Sequence, residues 1–203
     1  MTKALLNEAE SFLLKNWAEA RMLEESMEGV RAKYKELVQR VIQAVTDAHP
    51  ELNSGFAYPT QFWGSGSIGF GRKSWPAGDS GWPPGLWIWN LRLENLASED
   101  SEPPYASIWV SSKSAKKCNL DMTAARTQLK AVAKELLSPE DLDQTSNGGE
   151  GDVLLDFTSP SKIELIGLLL DEDGQKFVDR LVKQFDIMSG FIPTLDKLFG
   201  YVP

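Results

Sequence analysis

The sequence predicts an α+β fold. A long N-terminal helix, or a helical hairpin, packs on a small, mainly antiparallel sheet of four or five strands, and further helices follow at the C-terminus. Three observations predict it. An apolar repeat of helical period runs through residues 1–50, a β-rich stretch with alternating apolar residues covers 55–111, and helical spacing returns from 121. At 203 residues the chain suits one body, residues 51–203, carrying a helical extension, residues 1–50.

The N-terminal repeat is the strongest pattern in the chain. Alternating steps of three and four from Leu6 reach Ala9, Leu13, Asn16, Ala20, Leu23, Met27, Val30, Tyr34, Leu37, Val41, Ala44 and Ala48, and Asn16 alone is polar. Such a 3.5-residue repeat marks a coiled-coil-like seam. Thr2 suits the N-cap, and Pro50 ends the helix after His49. One straight helix of that length spans roughly 70 Å, whereas the body has a radius of gyration of about 15 Å. The helix therefore bends back, with Gly29 as the weak point, or pairs with another chain. Leu5, Phe12, Trp17, Val38 and Val45 widen the stripe at both ends, as packing on a core requires. Glu19, Glu24, Arg31 and Lys33 narrow it in the middle. Ala20, Leu23, Met27, Val30 and Tyr34 are the candidate partner-binding residues on this helix.

The β-rich part starts with candidate strands at 56–63 and 67–73. In 86–95, Trp87, Trp89, Leu91 and Leu93 alternate with Asn90, Arg92 and Glu94. Residues 105–111 set Ala106, Ile108 and Val110 against Tyr105, Ser107 and Trp109, and the acidic stretch between these strands reads as an exposed hairpin loop. Trp87 and Trp89 are expected in the core under the long helix. Trp75 and Trp82 lie in a Pro/Gly-rich loop around Asp79. These three complete the candidate contact residues, as a platform for a partner, sugar, base or proline-rich peptide. Beyond this, a helix is expected at 121–137, a loop at 138–152 and a strand at 153–157. Ser159 and Pro160 open a helix or strand at 163–170. Residues 175–188 form an amphipathic helix, and a last helix begins near Pro193.

Several motifs fall short of chemistry. Gly64, Gly66 and Gly69 spell G-x-G-x-x-G, but Pro76, Pro83 and Pro84 bar the helix that a dinucleotide loop needs. The glycines read instead as turn or close-packing positions. Residues 143–154 match a calcium loop at Asp143, Asn147 and Gly148, but Leu154 stands where a glutamate is required. His49 is the single histidine and Cys118 the single cysteine, which excludes most zinc sites and any intrachain disulfide. His49 suits a helix C-terminal cap. Lys116 and Lys117 beside Cys118 would favour a thiolate, against the plainer reading of an inert thiol.

The order helix, three strands, helix, strand resembles the core of PD-(D/E)XK nucleases. That resemblance implies a strand carboxylate and an acidic-x-Lys pair for a divalent metal. The strand at 105–111 has no acidic residue, and Glu94 lacks the lysine two positions on.

No catalytic, cofactor or metal residues are therefore assigned. The net charge of −8 is concentrated after residue 120 and disfavours nucleic-acid binding. No apolar run reaches the roughly 20 residues of a membrane span, and no signal-peptide segment is read. The expectation is an acidic, cytoplasmic, non-enzymatic interaction protein that self-associates or grips a protein partner through its N-terminal helix. The alternative is a nuclease-like or other ligand-binding protein using the glycine-rich loops 64–73 and 78–85, with Arg72, Lys73, Asp79 and Glu94 nearby.

Overall fold

The computed structural model describes residues 8–53, 66–72, 74–75, 84–138, 146–147, 152–157 and 160–200. The expected strand at 56–63, Thr2, Leu5, Leu6, Lys73, Asp79 and Trp82 lie outside them.

The N-terminal region is helical as its period demands. α1 spans Glu8–Lys15 and α2 spans Trp17–Ala48. The break falls at Asn16, whose ψ of 38° is not helical, and its side-chain amide donates to the Phe12 carbonyl at 2.9 Å. Gly29 lies inside α2, so the hairpin alternative is replaced by one continuous helix of 32 residues. Leucine, glutamate, lysine and arginine dominate around Gly29, and their propensity outweighs a glycine cost of about 1 kcal/mol. His49 caps α2, and Pro50 opens the single turn α3, Pro50–Asn53.

The sheet contains β1 (Ile68–Phe70), β2 (Gly85–Trp89), β3 (Tyr105–Trp109), β4 (Ser146–Asn147) and β5 (Val153–Phe157), in the order β1-β2-β3-β5-β4. Every pairing is antiparallel. β2 is shorter than its alternation predicts. Asn90 takes a positive φ of 59° and the chain then forms α4, Leu93–Ala97. Leu93 and Glu94 are thus helical, and the β2–β3 connection is no plain loop. Lys162 Nζ fastens it by donating to the carbonyls of Ser98, at 2.6 Å, and Ser101.

After β3 come α5 (Ser112–Lys117) and α6 (Met122–Leu136), capped by Ser111 and Asp121. After β5 come α7 (Lys162–Leu169), a 3₁₀ turn, α8 (Gln175–Ser189) and α9 (Ile192–Leu198). Residues 163–169 are therefore helical. Their cap is Ser161, which accepts from the Glu164 amide at 3.1 Å; Ser159 lies outside the described residues.

Cross-strand partners share a face, and the register gives the sheet two different ones. Ile68, Leu86, Ile88, Ala106, Ile108, Leu155 and Phe157 form one face and are buried with the helices. Phe70 meets Phe185 of α8 edge-on at 4.8 Å, and Phe157 meets Phe191 at 5.5 Å. Trp87, Trp89, Tyr105, Ser107 and Trp109 form the opposite face. Trp87 is buried as expected and Trp89 half-buried, but the expectation that they lie under the long helix is corrected: period 2 placed them together, and the helices chose the aliphatic side. α8 rests on that side and carries α2 in turn.

Candidate interaction site

α2 is one helix with two environments. Its apolar residues follow each other at spacings of three and four, so they share one face along the helix. From Tyr34 onward that face is buried: Tyr34, Leu37, Val38, Val41, Ile42 and Val45 all belong to the core. Before Tyr34 it faces solvent. Leu23 is 66% exposed, Met27 54% and Val30 53%, and Ala20 is half-buried. Helix length explains the difference. α8, the helix packed on α2, has 15 residues and covers about 22 Å. α2 has 32 and runs about 48 Å.

The exposure continues into α1. Phe12, Leu13, Leu14, Trp17 and Met22 are all largely exposed, so the expected docking of Phe12 and Trp17 on the core does not occur. Scattered exposed apolar side chains are ordinary. A continuous helical row of them is the kind of patch that marks an interaction surface.

Of the candidate contact residues, the structure brings Ala20, Leu23, Met27 and Val30 together as one row. Tyr34 is corrected to an intramolecular role. It is 6% exposed, its hydroxyl donates to the Leu91 carbonyl, and its ring tilts against Phe177 at 5.7 Å. Burial, with the nearby Glu94 charge adding, pushes its phenol far above the usual range. Trp75 is corrected in the same way. It is 1% exposed, its Nε1–H donates to Asp196 Oδ1 at 2.8 Å, and its ring lies 5.3 Å from that of Phe199. A tryptophan among prolines and glycines has no period to reveal its burial, and α9, which supplies Asp196, is remote in sequence.

Arg72, Glu94, His49 and Cys118 each make contacts within the fold. Arg72 Nε also reaches Asp196, at 3.0 Å. Glu94 pairs with Arg31 at 3.1 Å, joining α4 to α2. The Glu94 carboxyl is held below its ordinary range, first by its own backbone N–H at the start of α4 and then by Arg31. His49 Nε2 lies 2.9 Å from Asp186 on α8, and Nδ1 lies 3.6 Å from Glu51. The Cys118 thiol donates to the carbonyls of Ser114 and Ala115. Burial pushes it up despite Lys116 and Lys117, so it is a poor nucleophile at neutral pH. Gly66, Gly69 and Gly85 have structural reasons. Gly66 takes φ 70°. A Cβ on Gly69 would stand 2.5 Å from the Trp87 indole, and one on Gly85 2.3 Å from the Phe70 carbonyl oxygen. The end of the glycine motif thus enters β1, not a helix. Among the described residues no group of three or more His, Cys, Asp or Glu is placed to hold a metal.

One cleft was not foreseen. It encloses about 460 Å³ on the aromatic face, between Trp89, Tyr105, Trp109, Lys113 and Asp152. The sequence grouped Tyr105 with Trp109, and Trp87 with Trp89, but only the β2–β3 register joins the two groups. The rings mainly engage each other. Trp89 stacks on Trp87 at 5.0 Å and on Tyr105 at 6.0 Å, while Trp109 meets Trp87 and Trp89 edge-on. Trp89 Nε1–H is taken by Ser107, and Asp152 by Ser112. A stacking platform needs an uncovered ring face, and Trp89 has neighbours stacked against it.

No protein-family model, curated protein or solved structure matches this chain. Among the described residues, no helix is long and apolar enough to cross a membrane.

Proposed function

We propose that this is a non-enzymatic assembly protein that self-associates through the exposed face of its N-terminal helix. The supporting observation is the continuation of one apolar stripe, buried from Tyr34 to Val45, out along Val30, Met27, Leu23 and Ala20. Covering a side chain such as leucine or methionine is worth about 1.5–3 kcal/mol when burial is complete. A facing helix from a second molecule would supply that cover where α8 stops. The single cysteine fits a reducing setting such as the cytoplasm.

Light scattering on the full chain across the micromolar range tests the reading. The mass is expected to rise toward twice the monomer value with concentration. Leu23→Glu with Met27→Glu should hold it at the monomer value while leaving the circular dichroism of the body unchanged. A wild-type chain that stays monomeric throughout overturns the reading.

A further inference from the structure

We infer that the second copy lies antiparallel along residues 17–33, in the register that sets Glu19 of one copy against Lys33 of the other. This rests on self-association and adds orientation and alignment to it. The charges beside the stripe favour this alignment. In heptad terms Ala20 and Met27 occupy a, Leu23 and Val30 occupy d, Glu24 and Arg31 occupy e, and Glu19, Ser26 and Lys33 occupy g. In a two-helix pair the e and g residues flank the seam and set partner orientation.

A parallel, in-register pair places each g residue beside the e residue five positions on in the other copy. That sets Glu19 against Glu24 twice, and pairs Ser26 with Arg31, so nothing offsets the repulsion. An antiparallel pair places g beside g and e beside e. Centred on the height of residue 25, it uses the whole exposed part of α2 and no buried turn. Ala20 then packs against Val30 of the second copy, and Leu23 against its Met27. Glu19 meets Lys33 twice, and Trp17 lies beside the Arg31–Glu94 pair of the other copy twice. The single like-charge contact is Glu24 near its own symmetry mate.

The charge gradient along the arm agrees. Glu19, Glu24, Glu25 and Glu28 outweigh Arg21 in the first part, whereas Arg31, Lys33 and Lys35 follow. Only the antiparallel arrangement lays the acidic part of one helix on the basic part of the other. It also sends the two bodies to opposite ends of the pair, so α8 and α4, which occupy the neighbourhood of Tyr34 and Arg31, do not compete for space with their counterparts.

The two orientations give opposite signs for one substitution. Glu19→Lys should weaken self-association roughly five- to tenfold by analytical ultracentrifugation at low salt, because both opposite-charge contacts become repulsive. Lys33→Glu added to it should restore the wild-type constant. Glu24→Gln should strengthen it slightly. All three positions are solvent-exposed, so folding is retained. If Glu19→Lys strengthens association, the pair is parallel and the inference fails. If Glu19→Lys has no effect while Leu23→Glu with Met27→Glu still gives monomer, this register fails and self-association stands. If the wild type is itself monomeric, the underlying proposal has failed.

Discussion

The two halves of α2 share one helical period and one continuous backbone, yet one is core and the other is surface. Residues 34–48 lie on α8, with Val38, Val41 and Val45 fully buried. Residues 17–33 carry the same stripe past the end of α8 into solvent. The difference teaches that an amphipathic pattern states a demand for cover and not its source. Equivalent substitutions in the two halves should therefore have unequal effects.

The largest contrast is expected from one substitution made twice. Val41→Asp places an unpaired charge in a fully buried site, and should cost more than about 4 kcal/mol and unfold the chain. Val30→Asp should leave the denaturation midpoint of the monomer within about 0.5 kcal/mol of wild type, while abolishing the concentration-dependent rise in mass. Equal effects on urea unfolding would break the comparison.

Glycine gives a smaller contrast, with opposite signs. Gly174 takes φ 79° where α8 begins, and a Cβ there would stand 2.4 Å from Leu37 Cδ1. Gly174→Ala should cost about 1–3 kcal/mol, read by chemical denaturation. Gly29 has nothing within 4 Å of its Cβ position. Gly29→Ala should stabilise the exposed half by up to about 1 kcal/mol and raise its helicity by circular dichroism.

Tyr34 marks the border between the halves. Tyr34→Phe removes its bond to the Leu91 carbonyl and should cost about 1 kcal/mol at neutral pH. Its folded pKa is raised, so the folded state holds the phenolic proton more tightly. The associated stability is fully present below about pH 10 and is lost as pH rises above that value. Tyr34→Phe should therefore flatten the alkaline side of the stability profile. The smallest effect is expected for the exposed Arg31–Glu94 pair. Arg31→Ala should change stability by less than about 0.5 kcal/mol. Because the Glu94 carboxyl is held low, that contribution is present at neutral pH and fades as pH falls through the Glu94 value.

Much of the architecture was legible before any tertiary contact was known. The period of 3.5 gave α2 and the end imposed by Pro50. Helical spacing gave α6 from Asp121 and α8 through Phe177, Leu181, Phe185 and Met188, and the apolar run gave β5. These are local consequences of side-chain direction and backbone sterics. The candidate site was half legible: spacing put Ala20, Leu23, Met27 and Val30 in one row, but not the exposure of Leu23, Met27 and Val30, which depends on where α8 ends. Trp75 and Tyr34 were not legible as core residues, because their partners Asp196, Phe199, Leu91 and Phe177 stand 57 or more positions away. The break at Asn16 and the end of β2 at Asn90 escaped because each depends on one backbone torsion.

The sequence by itself determined which residues share a face: the row from Ala20 to Val45, the aliphatic side of β2 and β3, and the aromatic side. Periodicity is a property of the local backbone, and it survives without neighbours. Only the tertiary structure decided which faces are covered. Burial depends on the reach of other elements, and α8 is too short to cover α2. That mismatch in length turns one continuous apolar stripe into a core half and an exposed half.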